Sequence, residues 1–141
     1  MADETQRTFD LSLVTPEGAA YEGEAQMLIV PGDAGEIGIL ARHAPLVAML
    51  RAGEVRVKTG EGWQTFAAGP GYITVKQDRA VVLVDDAVRA EDIDVEQARR
   101  EVEEARALVE RAEAGDEEID RWHAEQRLRH AENKIAVAGR A

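Results

Sequence analysis

Few side chains in this sequence could do covalent or acid–base chemistry, and none of them forms a recognisable catalytic pattern. Serine occurs once, at Ser12, inside an alternating apolar segment, and cysteine does not occur. Nucleophilic catalysis needs a hydroxyl or thiol beside an activating base, and the sequence suggests no such pair. Neighbouring carboxylates such as Asp85 and Asp86 point to different sides of a strand or helix. We therefore predict that the chain is not an enzyme and has no catalytic residue.

Metal and cofactor sites are equally poorly supported by the spacing of the candidate residues. His123 and His130 lie seven residues apart in a predicted helix, whereas helical histidine pairs that chelate one ion are four apart. His43 is interpreted as a hydrogen-bonded residue at the edge of the sheet. The glycines of the segment 32–38 lack the following helix and lysine that a phosphate-binding loop requires. We predict no metal and no cofactor.

Net charge and hydropathy restrict the class of partner. The 141 residues carry a formal net charge of −11, which disfavours nucleic acid or an anionic membrane surface as partner, because both attract basic proteins. No segment approaches the roughly 20 apolar residues of a membrane span, and residues 1–8 lack the apolar segment of a secretory signal. The expectation is a soluble, cytoplasmic protein without direct membrane insertion.

The pattern of the chain changes near residue 88. Residues 1–88 hold all the proline and most of the glycine, which separate short apolar runs such as the alternating Phe9, Leu11 and Leu13. Short strands with frequent turn signals predict an antiparallel β-sandwich or barrel. Residues 89–141 contain no proline and glycine only at Gly115 and Gly139. We therefore predict two parts, a β domain at 1–88 and a helical one at 89–141.

The helical part shows two apolar stripes with spacings of three and four, as on the buried faces of paired helices. Asp92 or Asp94 is suited to cap the first helix, and Gly115 to end it. An antiparallel hairpin of two helices is predicted, and its small side chains bury little apolar area, so it should detach more readily than the β domain unfolds. The stripes are Val95, Ala98, Val102, Ala105, Val109 and Ala112, then Ala124, Leu128, Ala131, Ile135 and Ala138.

One segment resembles a known family closely. Residues 35–46 read Gly-Glu-Ile-Gly-Ile-Leu-x-x-His-x-Pro-Leu, and further similar segments lie at 14–18, 71–75, 89–94 and 133–135. Together they resemble the epsilon subunits of bacterial F-type ATP synthases over nearly the whole chain. The resemblance implies a ten-stranded β-sandwich followed by a two-helix hairpin. It also implies a non-catalytic place in the central stalk of the rotor, at the cytoplasmic face of the bacterial plasma membrane.

The resemblance implies specific partners for specific residues. In the family the sandwich binds the gamma subunit, near His43, and sits on the ring of c subunits, which Glu36 faces. The extended hairpin reaches the catalytic alpha and beta subunits and opposes ATP hydrolysis, while the folded hairpin permits it. The basic residues of the second helix are candidates to contact the beta subunits: Arg121, Arg127, Arg129 and Lys134. A solvated face with i,i+4 ion pairs is the alternative for this cluster, and a solvated loop carboxylate is the alternative for Glu36.

Some family members bind ATP between the folded helices, and this chain keeps only part of their motif. Ile93, Asp94 and Ala98 match. The positions at which those members carry further charged residues hold others here: Val88 for an acidic residue, and Gln97, Glu104, His130 and Lys134 for arginines. Losing guanidinium groups removes the strongest bonds to phosphate, so ATP binding should be weak or absent. Two alternatives remain: a regulator whose hairpin opens or closes with ATP, and a docking protein for an unrelated assembly.

Overall fold

A computed structural model describes residues 7–140 of the chain. The interpretation of residues 1–6 as part of a polar N-terminus lies outside this range. The described residues form ten strands and then two helices. These are β1 (Phe9–Thr15), β2 (Gly18–Ala25), β3 (Met27–Gly32), β4 (Gly35–Leu40), β5 (Leu46–Leu50), β6 (Gly53–Thr59), β7 (Gly62–Ala68), β8 (Gly71–Lys76), β9 (Arg79–Val84), β10 (Ala87–Arg89), α1 (Val95–Glu113) and α2 (Arg121–Ala138).

The strands make one continuous hydrogen-bonded sheet that wraps around a single core. Its order is β10-β7-β6-β3-β5-β8-β9-β1-β2, and β4 pairs with β3 outside this path. Every pair is antiparallel except β1 with β9. These two strands are far apart in sequence, so no tight turn fixes their relative direction. The predicted β-sandwich with a helical appendage is confirmed.

The core follows from alternation along the strands. Phe9, Leu11 and Leu13 on β1 are all buried, as their spacing predicts. They pack with inward-facing residues of the other strands, among them Leu28, Val30, Val55, Val57, Phe66, Ile73 and Val82. Most of the core side chains are aliphatic, so the sandwich is stabilised chiefly by apolar burial.

Two glycines explain local features of the sheet. Gly35 begins β4 with φ of +136°, in a conformation that other residues rarely adopt, and it closes the tight β3–β4 hairpin opposite Gly32. A side chain at Gly71 would overlap the backbone carbonyl of Leu83 on the paired strand β9. The glycine at 35 therefore reflects a left-handed backbone conformation, and the glycine at 71 reflects a close backbone approach.

The two helices run antiparallel. Glu113 near the end of α1 pairs with Arg121 at the start of α2, and Glu101 pairs with Lys134 towards the other end. The Asp94 side chain accepts a hydrogen bond from the backbone N–H of Gln97 at 3.1 Å, so it is the N-cap of α1. Gly115 has φ of +98° immediately beyond the C-terminus of α1. The predicted hairpin and its capping residues are confirmed.

The junction between sheet and helices is compact. The boundary predicted between 88 and 89 falls inside β10, which pairs with β7, and a 3₁₀ turn at Ala90–Asp92 leads to α1. Val137 of α2 is fully buried in a small second cluster with Ala67 and Ala90. Neither helix within residues 7–140 is long and apolar enough to cross a membrane.

Candidate functional site

The outer side of β5 and β8 carries an exposed apolar surface, which we call the β5–β8 face. Alternation turns Leu50 inward and leaves Val47 76% exposed and Met49 59% exposed. Tyr72 of β8, which lies opposite Met49 in the antiparallel register, is 39% exposed. Cross-strand neighbours of this kind form one continuous patch. Contiguous exposed apolar groups on a small protein make this face a candidate interaction surface.

Glu36 lies near the start of β4, where the side chain is 63% exposed. Arg56 on β6 donates a hydrogen bond from Nη2 to the Glu36 carboxylate at 3.0 Å. The two strands are separated by β3, on which Ile29 lies opposite both Arg56 and Gly38. Gly38 places no side chain between them. Arg56 thus orients Glu36 while leaving most of its surface accessible, although such an exposed pair adds little stability.

His43 lies in the loop that connects β4 to β5. Its backbone N–H donates to the Leu40 carbonyl at 3.2 Å, and Nδ1 lies 2.7 Å from the Ala44 carbonyl. The residue therefore flanks the strand that carries Val47, in agreement with its interpretation as a hydrogen-bonded edge residue. Within residues 7–140, no hydrogen bond or ion pair joins His43 to Glu36.

The four basic residues singled out on α2 are not equivalent. Arg121 pairs with Glu125 at 2.9 Å and with Glu113 at 3.4 Å, both at the surface. Arg127 and Arg129 are exposed. The side chain of Lys134 is only 12% exposed, because Nζ lies 3.2 Å from Glu101 on α1 and 3.7 Å from Asp86. Three of the four cations are therefore at the surface of the folded hairpin. The fourth, Lys134, is enclosed between α1 and the sandwich.

The residues of the partial ATP motif have structural partners. Ile93 packs against the cluster around Val137, Asp94 caps α1, and Ala98 is fully buried. Ile93 and Asp94 border a cleft of about 360 Å³ at the junction of sandwich and hairpin, whereas Ala98 does not line it. Glu104 does not line it. The lining residues are Asp86, Val88, Asp92, Ile93, Asp94, Gln97, Glu101 and Lys134. Four carboxylates and one amine make this cleft unfavourable for a polyphosphate.

Asp86, between β9 and β10, links the sandwich to the hairpin. His130 Nε2 lies 2.7 Å from its Oδ2, and Lys134 lies nearby. The hydrogen bond from His130 is the largest influence and lowers the pKa of the Asp86 carboxyl. Burial opposes it as the next largest, and the positive charges of His130 and Lys134 add to the lowering. For Asp85 the balance is reversed, and burial raises its pKa. The sequence signals only two adjacent acids here.

Gln126 is a second residue that docks the hairpin on the sandwich and that the sequence pattern does not reveal. Its side-chain Oε1 accepts a hydrogen bond from the backbone N–H of Ala52 at 2.8 Å, and both residues are buried. Arg140 beyond α2 pairs with Glu54 on β6 at 2.7 Å. Residue spacing does not show whether a glutamine outside the apolar stripe is buried or solvated. Periodicity therefore could not identify Gln126 as a buried contact.

Comparison with known proteins identifies the family. The family model described as "ATP synthase, Delta/Epsilon chain, beta-sandwich domain" matches residues 8–90, the range that holds all ten strands. An ATP synthase epsilon chain of Anoxybacillus flavithermus is 41% identical over 93 residues, covering 66% of this chain and 69% of the relative. One of Desulforamulus reducens is 44% identical, covering 66% and 70%. The chain belongs to the ATP synthase epsilon family.

Solved structures agree with this assignment. A chain in the structure of the Euglena gracilis mitochondrial ATP synthase (OSCP/F1/c-ring) matches with a TM-score of 0.73 and 25% identity, covering 92% of this chain and 80% of that one. A chain from the Tetrahymena thermophila mitochondrial central stalk and c-ring matches with a TM-score of 0.52 at 13% identity over 96% of both, which supports the fold alone. The epsilon subunit is a non-catalytic part of ATP synthase, so family membership confirms the prediction that this chain is not an enzyme.

Proposed function

We propose that the chain is a rotor subunit of the central stalk, which couples rotation of the c ring to ATP synthesis and restrains ATP hydrolysis through its hairpin. Its membership of the epsilon family and the likeness to a chain of the Euglena gracilis ATP synthase support this role. In this role it is a peripheral subunit at the cytoplasmic face of the bacterial plasma membrane, held there by other subunits.

The observation that carries the proposal is the β5–β8 face. Val47, Met49 and Tyr72 expose apolar surface that a protein partner would cover. We assign this face, with His43 beside it, to the gamma subunit. The hairpin packs on β6 and β7 instead, so docking of the sandwich leaves the hairpin unobstructed.

We assign Glu36 to the c ring. Its carboxylate is exposed and oriented by Arg56, which favours a directed contact over a freely moving side chain. A cationic or backbone N–H donor on the polar loops of the c subunits would form a charge-assisted hydrogen bond with it. Such a contact resists slippage when torque passes from the ring to the stalk.

The hairpin is assigned to contacts with the alpha and beta subunits. Arg121, Arg127 and Arg129 are at the surface, whereas Lys134 is enclosed until α2 leaves the sandwich. Opening would therefore complete the set of four cations that we propose to meet an acidic segment of the beta subunits. The folded hairpin offers an incomplete set, which fits a brake that is released on folding.

ATP hydrolysis by an epsilon-free catalytic head tests the proposal. The full chain should inhibit hydrolysis, whereas a chain truncated after Asp92, which keeps β10 and the 3₁₀ turn, should bind without inhibiting. Gel filtration verifies binding of each form. If both forms bind and neither inhibits, the restraint of hydrolysis is wrong.

A surface variant tests the docking face separately. Met49→Asp should weaken binding to the gamma subunit by about tenfold or more, because it places a charge in a desolvated contact. The matched control is Trp63→Asp, which alters a 48% exposed residue on β7, outside the face. Equal binding of both variants would contradict the assignment of the β5–β8 face.

A further inference from the structure

The contacts of α2 with the sandwich include a row of polar side chains. Gln126, His130 and Lys134 follow one another at intervals of four residues, so they share one side of the helix. All three side chains are largely buried, and each has a partner outside α2. The apolar stripe of α2 lies on a different side of the helix, and α2 packs mainly against α1. The helix thus has two buried sides, one apolar and one largely polar.

The first polar contact satisfies a backbone group of the sandwich. The Ala52 N–H lies between β5 and β6, where Gln126 Oε1 accepts its hydrogen bond at 2.8 Å. Ala52 is 2% exposed and Gln126 is 8% exposed. A buried N–H without an acceptor is strongly unfavourable. Docking of α2 at a different position would leave this group unpaired, so the contact specifies one docked position.

The second polar contact joins three parts of the chain. Asp86 from the sandwich pairs with His130 at 2.7 Å and with Lys134 at 3.7 Å, and Lys134 also pairs with Glu101 of α1 at 3.2 Å. The Lys134 and His130 side chains are 12% and 13% exposed. Their partners Asp86 and Glu101 are 42% and 36% exposed, so the ion pairs are partly enclosed, and removing one partner leaves a partly buried charge uncompensated.

We propose that Gln126, His130 and Lys134 form a latch that holds the folded hairpin on the sandwich with the chain's own polar and charged groups in place of a nucleotide. We call these three residues the α2 latch. The cleft beside it already holds four carboxylates for one engaged amine, so an added polyphosphate would meet repulsion where the latch supplies attraction. The latch concerns docking within the isolated chain, and its test does not depend on whether the hairpin inhibits hydrolysis.

The latch also makes docking reversible. Its polar groups can hydrogen-bond to water once α2 lifts away, whereas the apolar cluster at the contact is small and consists of Val137, Ala67 and Ala90 with Ile93 packed against them. Exchange of protein partners for water has a small net cost. The hairpin therefore docks in one defined position, but the docked state is not strongly favoured over the released state. Such a balance suits a two-state element.

Hydrogen exchange measured by NMR on the isolated full chain, without nucleotide, tests the latch at the Ala52 amide. In the native protein this amide should be protected by the docked helix. Gln126→Leu should lower its protection about tenfold or more, because the acceptor is lost while the side-chain volume is kept. Gln126→Glu keeps an acceptor oxygen and should retain most of the protection. Amides of the central strands report folding in the same spectra, so docking and unfolding are distinguished in every variant.

A second pair of variants tests the charged part. Lys134→Met should reduce Ala52 protection about tenfold, since Glu101 and Asp86 lose their shared cation. Arg129→Met, an exposed position on the same helix, should leave it unchanged. Millimolar ATP should not increase protection in the native chain. Rapid exchange of Ala52 beside protected strand amides, or protection that appears only with ATP, would overturn the proposal.

Discussion

Asp85 and Asp86 are neighbours in sequence with opposite electrostatic environments. Asp86 accepts a hydrogen bond from His130 and lies near Lys134, and these contacts lower the pKa of its carboxyl. Asp85 lies against Gly69, where burial raises its pKa despite the nearby His130 and His123. One carboxylate therefore stabilises the folded chain in its ionised form, whereas the other is destabilising when ionised.

The two residues should contribute to stability with opposite dependence on pH. Since the pKa of Asp86 is lowered in the folded state, its stabilisation is present above the ordinary value of 3.8 and is lost as the pH falls through the lowered value. The raised pKa of Asp85 gives a penalty that is present at neutral pH and disappears as the pH falls through the raised value towards 3.8. At pH 7, Asp85→Asn should therefore stabilise the chain and Asp86→Asn should destabilise it.

Urea unfolding followed by circular dichroism between pH 3 and 7 measures both effects. The increase in the free energy of unfolding caused by Asp85→Asn should shrink as the pH is lowered towards 4. The decrease caused by Asp86→Asn should shrink at lower pH still. Asp10→Asn, an exposed change on β1, serves as the control. A stabilising Asp86→Asn at neutral pH would show that the ion pair with His130 does not form in solution.

At the scale of elements, we expect the cleft where the start of α1 meets the sandwich to bind nucleotide weakly or not at all. Asp94 and Ala98 perform structural tasks as helix cap and buried contact, so these matches do not depend on ATP. The neighbouring Gln97 and Glu101 line a cleft rich in carboxylates. We expect calorimetric titration of the isolated chain to show a dissociation constant for ATP of about 1 mM or weaker, because phosphate lacks its guanidinium partners.

A variant with a more positive cleft provides the comparison for this measurement. Gln97→Arg combined with Glu101→Gln should strengthen ATP binding by about tenfold or more, since it adds a guanidinium and removes a carboxylate at the cleft. Asp94→Asn keeps an N-capping side chain and should leave α1 intact. Tight binding by the unmodified chain would instead favour the nucleotide-responsive regulator.

The elements themselves were predictable from sequence, but their docking was not. Alternation at Phe9, Leu11 and Leu13 and the stripe from Ala98 to Ala105 report on burial through apolar side chains, so they identify the core and the helix pair. Gln126 and His130 are buried through polar contacts to partners 74 and 44 residues away. No local period encodes such pairs. Glu36 was identifiable through the family resemblance, whereas its partner Arg56 depends on strand register.

At the scale of the whole molecule, the sandwich separates two contacts. The β5–β8 face is assigned to the gamma subunit, and the hairpin rests on β6 and β7. In the arrangement that we propose, the hairpin opens while the sandwich stays bound to the stalk. This arrangement predicts that the position of the hairpin controls hydrolysis without changing the assembly of the rotor.

Fixing the hairpin in its folded position should remove the inhibition of ATP hydrolysis while the chain still binds the catalytic head. Because the chain has no cysteine, Glu54→Cys with Arg140→Cys introduces a single thiol pair where the native side chains meet at 2.7 Å. A short bifunctional maleimide would join these thiols. With the crosslinked chain bound, the epsilon-free head should hydrolyse ATP as fast as it does with the chain truncated after Asp92.

The same double variant without crosslinker, and Arg140→Cys treated with the reagent, should both inhibit like the native chain. These controls separate the effect of the crosslink from that of losing the Glu54–Arg140 ion pair, which is partly exposed and worth little by itself. Full inhibition by the crosslinked chain would mean that the hairpin acts without leaving the sandwich. In that case the exposed Arg121, Arg127 and Arg129 would have to act without Lys134, which the folded hairpin encloses.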